Sequence, residues 1–185
     1  MKKFALIAAI AATTIAMPAL AKKHVAKTPM VGGAPMYPTK TIVQNASTAS
    51  NLTTLVAAVK AAGLVETLSG PGPFTVFAPT NAAFGKLPAG TVETLVKPEN
   101  KDTLTSILTY HVVSGRLTAK DIMAAIKAGG GEAKVTTVNG GTLTASMMGG
   151  KLMLTDAKGG MSTVTMANVM QSNGVVHVID TVVLP

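Results

Sequence analysis

Apolar residues fall on two different periods in this chain, helical in its first half and alternating in its second. Leu52, Leu55, Val56 and Val59 follow i, i+3, i+4, i+7 spacing, which predicts one helix over 45–63 with these side chains on a common face. Ser50 or Asn51 is placed to cap its start, and Gly63 to end it. After the SGPGP turn, Phe74 to Ala78 reads as a short strand, and Asn81 to Phe84 as a single helical turn. Thr91 to Val96 is a short helix candidate. Pro98 opens a longer helix with Leu104, Ile107 and Leu108 inward, running into the strand-like His111-Val112-Val113. Thr118-Ala119-Lys120-Asp121 has capping-box form ahead of Ile122, Met123 and Ile126, and the glycines at 129–131 end that helix.

From residue 134 the period changes to two. Lys134 to Val138 and Thr142 to Met147, joined through Asn139-Gly140-Gly141, predict a hairpin. Lys151 to Thr155 and Ser162 to Met166 are further strands, and Ser172-Asn173-Gly174 turns the chain into Val175 to Leu184. That last segment is apolar on both faces, as a central buried strand is. Val175, His177 and Ile179 share one face of it, and Val176, Val178 and Asp180 the other. Helices first and strands last predict an α+β class.

The N-terminus has its own grammar. Lys2 and Lys3 precede an uncharged apolar run, Phe4 to Met17, then Pro18 and the small-x-small Ala19-Leu20-Ala21. Residues 1–21 are therefore expected to be a cleavable export signal, cut after Ala21. Residues 22–40, rich in Lys, Pro and Gly, read as a flexible leader whose Pro29 to Pro38 part lies against the domain, and 41–185 as one domain. No later stretch is long and apolar enough to span a bilayer. There is no Cys, and with no Trp, two Tyr and four Phe the core must be mostly aliphatic.

The net charge of +8 is concentrated at the start. From Thr41 onward nine Lys and one Arg face eight acidic residues. A nearly balanced domain argues against nucleic acid as a partner. The lysines ahead of it read as a solubilising leader, with an anionic envelope polymer or membrane surface as the other reading.

Three segments together resemble the fasciclin domain family. TVFAPTNAAF (Thr75 to Phe84) is similar to its first signature, NGVVHVIDTVVLP (Asn173 to Pro185) to its second, and LTYHVVSGRL (Leu108 to Leu117) to its Tyr-His segment. The order is the family's, and the resemblance covers about 41–185. It implies a wedge-shaped β-sandwich with helices packed on one side, and secreted or surface proteins that act by adhesion and not by catalysis. Single-domain secreted bacterial members are the nearest in layout. The implied partner is a protein or polysaccharide of the cell envelope or matrix, met by a monomer. An envelope accessory protein without adhesive role is the alternative.

The resemblance also points to residues. The family's receptor-contact surface implies Tyr110, His111 and the 166–170 stretch, hence Asn168, Val169 and Met170, as candidate contacts. In animal adhesion members that stretch holds an Asp-Ile motif. Here Asn168 and Val169 stand in its place, removing the carboxylate a cation-dependent receptor of integrin type would use. Asp121-Ile122 is a chance look-alike at a helix start. Phe77, Pro79, Thr80, Asn81, Phe84, Asn173, Gly174, His177 and Asp180 are expected to be structural, with Thr80 or Asn81 capping the turn that follows and His177 buried and hydrogen-bonded.

No catalytic set stands out. GxSxG, HExxH, a phosphate-binding glycine loop and a cysteine nucleophile are all missing. Nothing in the sequence joins Ser114, His177 and Asp180 into a triad. No cofactor is expected. Methionine is the one excess. Nine remain after the signal, six of them (Met147, Met148, Met153, Met161, Met166, Met170) in the strand-rich half. They are expected to be soft core filler. The second reading is Cu(I) ligation by thioethers, with His24, Met30 and Met36 of the leader as added ligands.

Overall fold

The computed structural model describes residues 28–185. The expected export signal and the first residues of the leader lie outside the described residues. From residue 28 the leader is folded. Strands β1 (Met30–Val31) and β2 (Ala34–Pro35) form a small hairpin over Gly32-Gly33, and Val31 and Met36 are buried in the core.

The helix expected over 45–63 is two helices. Helix α1 (Ile42–Ala46) is closed at its start by a capping box from Thr41 and Gln44, and α2 (Thr53–Ala62) follows. The break falls at Ser47-Thr48-Ala49-Ser50-Asn51, where short polar side chains compete for backbone groups; Ser47 and Thr48 hydroxyls donate to Gln44 O and Asn45 O. Gly63 ends α2 in the left-handed conformation, as expected. Then come α3 (Val65–Ser69), β3 (Phe74–Pro79), α4 (Asn81–Gly85), α5 (Thr91–Leu95), α6 (Lys101–Tyr110) and β4 (Val112–Ser114). Helix α7 (Ala119–Ala128) begins at the expected Thr118/Asp121 capping box. The rest is strand: β5 (Glu132–Thr136), β6 (Thr142–Met148), β7 (Lys151–Thr155), β8 (Met161–Gln171) and β9 (Gly174–Ile179).

The strands form one sheet in the order β4-β3-β9-β8-β7-β6-β5. Every pairing is antiparallel except β3 with β9, which run parallel with Phe74 beside Gly174 and Pro79 beside Ile179. The sheet folds over on itself, so that the Val138 N–H donates to the Val112 carbonyl at 2.8 Å and its two ends meet. Strand β8, longer than the expected Ser162 to Met166, passes through the fold. Its register slips between Val164 and Met166 and again before Val169, the bulges by which a strand bends.

Two apolar cores result. One lies between β3/β9 and the helices α1–α6, and holds Leu55, Val59, Val76, Phe84, Leu104, Leu108, Val176 and Val178. The other lies inside the folded sheet and holds Phe77, Tyr110, Val113, Leu143, Leu154 and Ile179, closed by Ile122 and Ile126 of α7. The α+β wedge is therefore as expected, with six helices on one side and α7 on the strand-lined core.

Methionine is not the core filler it was expected to be. Of the nine methionines among the described residues only Met36 is buried. Met123 on α7 is exposed, since Ile122 and Ile126 occupy the inner face.

Where β3 and β9 begin, their backbones approach too closely for a side chain. A Cβ on Gly174 would stand 2.0 Å from the Phe74 carbonyl oxygen, and one on Gly72 2.0 Å from that of Asn173. Gly174→Ala is expected to lose about 3 kcal/mol or more in urea unfolding, because backbone and not a flexible side chain must give way. Gly85→Ala, with open space around it, is expected to stay within about 1 kcal/mol of the parent.

Candidate functional site

The family-like segments meet at the loop after β4. Thr75, fully buried in β3, donates its hydroxyl hydrogen to the Gly115 carbonyl at 2.7 Å and accepts the Leu117 N–H at 2.8 Å. His177 on β9 stacks on Phe77 with ring centroids 5.6 Å apart and donates from Nε2 to the Leu117 carbonyl at 2.9 Å. That bond fixes the neutral tautomer, and burial holds the His177 pKa below its usual value. Arg116 donates to the Gln171 carbonyl at 3.2 Å. One loop is thus gripped by the first signature, the second signature and β8.

Tyr110 and His111 lie inside the protein, 0% and 2% exposed. The Tyr110 hydroxyl donates to the Thr142 carbonyl at 2.8 Å and accepts the Ala157 N–H at 3.1 Å, tying the end of α6 to the sheet. Gly141 leaves room for its ring; a Cβ there would be 2.6 Å from it. His111 donates from Nδ1 to the Ile107 carbonyl at 2.8 Å and accepts the Val183 N–H on Nε2 at 3.3 Å. Burial pulls its pKa down to about 4, against the partial opposition of the Ile107 carbonyl and the distant charge of Asp156.

The 166–170 stretch divides in the same way. Val169 is fully buried in the helix-side core. Asn168 is exposed but occupied: it takes a left-handed φ of 60° at the bulge and accepts the Ala119 N–H on Oδ1 at 2.7 Å, which caps the first turn of α7. Short polar Asn, like Asp, tolerates that conformation and supplies the oxygen. Met170 is half-buried. Of the five residues implied as contacts, three present no surface to a partner in this conformation.

The expected structural residues have specific tasks. Thr80 caps α4 by accepting the Ala83 N–H. Asn81 does not share that cap. It reaches across to α2, accepting the Thr54 N–H at 3.0 Å and donating to Ser50 O and Thr53 Oγ1. Asn173 accepts the Ile42 N–H and donates to Leu68 O and Gly70 O, joining α1, α3 and the β8–β9 turn. Phe77 and Phe84 sit one in each core, and Pro79 ends β3. Burial alone would raise the Asp180 carboxyl, but the Thr163 N–H, the Thr181 hydroxyl and Lys86 hold it below the usual carboxylate range.

Two buried polar groups, Asn45 and Asp156, have long-range partners that no sequence pattern marks. Asn45 binds Tyr37 through both N–H and C=O and donates to Gln171 Oε1, pinning the folded leader to β8. Asp156 accepts Lys158 N, Gly160 N and Leu184 N, closing the β7–β8 loop on the C-terminal tail. Its local half was legible as an Asp ahead of Gly159-Gly160, the signature of an Asx turn. The long-range partners leave no local signal.

Ser114, His177 and Asp180 do not assemble: His177 faces the inner core and Asp180 the opposite side of its strand. Among the described residues no group of three or more His, Asp or Glu gathers as a metal site. The Cu(I) set is not assembled either, since Met36 is sealed in the core while Met147, Met148 and Met161 face solvent; His24 is outside the described residues.

Two outcomes are expected. His111 has a folded pKa near 4 against 6.5 unfolded, so the unfolded chain binds the proton first as pH falls. Its contribution is whole above pH 6.5, and about 3 kcal/mol is lost on going down to pH 4. Urea midpoints should fall over that window, and less steeply in His111→Gln. Asn168→Ala should cost about 1–2 kcal/mol through strain and the lost cap, and Asn168→Gly less, both read by thermal unfolding.

Comparison with known proteins follows the same outline. The fasciclin domain model matches residues 50–185. Across its whole length the chain is 48% identical to protein sll1483 of Synechocystis sp. (strain ATCC 27184 / PCC 6803 / Kazusa), covering 99% of it. It is 39% identical to immunogenic protein MPB70 of Mycobacterium bovis, over 76% of this chain and 66% of that one. With the cell surface glycolipoprotein MPB83 of the same species it shares 41% over 66% of this chain and 48% of that one. The solved structure of a FAS1 domain pair from the insect cell adhesion molecule Fasciclin I superposes with a TM-score of 0.70 at 19% identity, over 79% of this chain and 51% of that one. The chain belongs to the fasciclin domain family.

Proposed function

We propose that this protein is an exported, non-enzymatic binding domain that contacts a protein or polysaccharide of the cell surface or matrix. The observation that carries the reading is how the reactive side chains are used. Tyr110, His111, Asp156 and His177 are all turned inward into hydrogen bonds that hold loops and the C-terminal tail. No open cleft gathers an acid, a base and a nucleophile among the described residues, which leaves surface complementarity as the means of action. The names of relatives point the same way, one a cell surface glycolipoprotein and another structure from a cell adhesion molecule. Export is attributed to residues 1–21, whose charged, apolar and small-residue segments follow the signal-peptide plan.

The contact surface is assigned to the exposed rim where Asn168 and Met170 of β8 adjoin Arg116 and the β8–β9 turn. Arg116 is the single arginine of the chain, and its guanidinium keeps donors free after the bond to Gln171. Beads coated with the protein lacking residues 1–21 are expected to attach to envelope or matrix preparations several-fold more than beads carrying an inert protein of similar charge. Met170→Gln with Arg116→Ala is expected to remove most of that excess, with stability lowered by no more than the one lost bond to Gln171 O, about 1 kcal/mol. Attachment equal to the inert protein would end the adhesion reading, and purely periplasmic fractionation would favour an accessory role in the envelope.

A further inference from the structure

The methionines have no place in the cores described above, and their distribution is selective. Seven large hydrophobic side chains are exposed among the described residues, and five are methionines: Met30 at 50%, Met123 at 37%, Met147 at 41%, Met148 at 57% and Met161 at 49%. The other two are Tyr37 and Val138; no Leu, Ile or Phe is among them. The chain puts its aliphatic residues inside and its thioethers outside, the reverse of the usual ranking for Met.

Three of these, Met147, Met148 and Met161, lie on the β6–β7–β8 part of the sheet, but apart from one another: Met147 pairs with the inward Leu152 and stands on the other face from Met148, and Met148 and Met161 lie beside opposite ends of β7, at Lys151 and Thr155. Along β7 the side chains alternate, with Leu152 and Leu154 buried in the strand-lined core and Met153 on the solvent side. Ser146 and Thr163 flank Met153 across the ladder, which puts Met148 and Met161, two residues along on the neighbouring strands, on that same outer face. Met147 and Met148 lead into the Gly149-Gly150 tip of the β6–β7 hairpin. Strand propensity does not account for the choice, because β-branched residues serve an exposed strand better. Nor does packing, since these side chains fill no cavity.

We propose that Met147, Met148 and Met161 act as separate oxidant-consuming groups, whose exposed thioethers each take up an oxygen from hydrogen peroxide while the fold stays intact. The thioether sulfur attacks one peroxide oxygen and the O–O bond breaks. That oxygen stays on sulfur as a sulfoxide, and the other leaves as water with both protons. Sulfur is oxidised by two electrons and the peroxide is reduced by two. With no Cys and no Trp in the chain, the thioethers face no competing side chain of comparable reactivity. A sulfoxide on any of these three exposed side chains keeps its new polar oxygen in water and costs no desolvation, whereas one on Met36 would place it in the apolar core. Met153 is an internal control: its sulfur accepts the Thr163 hydroxyl at 3.2 Å, which engages a lone pair and slows attack. The inference stands independently of the binding role.

The test is a time course of the purified protein with hydrogen peroxide, followed by peptide-mapping mass spectrometry and thermal unfolding. Oxidation of Met148 and Met161 is expected at least about tenfold ahead of Met36, with Met153 behind both, as exposure dictates. The melting midpoint should hold through the first three oxygens. The triple variant Met147→Leu, Met148→Leu, Met161→Leu should fold with the parent's midpoint and protect a co-incubated methionyl peptide about half as well or less. Equal rates for Met36 and Met148, a midpoint that drops with the first oxygens, or undiminished protection by the triple variant would each overturn the proposal.

Discussion

The parallel pairing of β3 with β9 is the constraint on which the rest of this structure depends. The two strands lie about a hundred residues apart in the chain, yet six residues of each run side by side in register. Both faces of the pair are covered, so the pair separates and at the same time joins two cores. Val76, Ala78, Val176 and Val178 point to the helices, and Phe77 and Ile179 into the folded sheet. A one-residue slip would exchange the two faces and put His177 among the helices. The close approach at Gly72 and Gly174 sets where the pairing starts.

Polar staples extend that pairing outward. Thr75 and His177 hold the loop after β4, Asn173 holds α1 and α3, Asn81 holds α2, and His111 with Asp156 holds the C-terminal tail. Each bond is worth only about 1 kcal/mol net, but losing a partner strands a buried group at a larger cost. The family-like residues are therefore best understood as architecture. Residues that look like candidates for chemistry, a Tyr-His pair and a second histidine, are neutral, buried and fully engaged except for His177 Nδ1, which has no partner.

What remains for interaction is the surface, and there the molecule is unusual in two respects. A lone arginine stands at the rim beside β8, and thioethers make up most of the exposed large apolar side chains among the described residues. The exposed thioethers add nothing to the two cores, and the arginine adds one bond, to the Gln171 carbonyl, with its other donors left to solvent.

The sequence by itself determined the α+β class, the buried last strand, the capping box at Thr118, the stop at Gly63 and the hairpin turns. These depend on local periodicity, on side chains three residues apart, or on glycine conformations, all of which are written in consecutive residues. It also carried the family resemblance, because the motifs are short and ordered. Only the tertiary structure decided that the 45–63 helix breaks, that Asn81 caps a helix twenty-seven residues upstream, that Tyr110, His111 and Val169 are interior, and that methionine faces solvent. Each of these turns on a partner far away in the chain. The burial of a strand residue is settled by the layer packed on it, and a cap by whichever helix end is brought to it. Periodicity tells a side chain's face; it does not tell what covers that face.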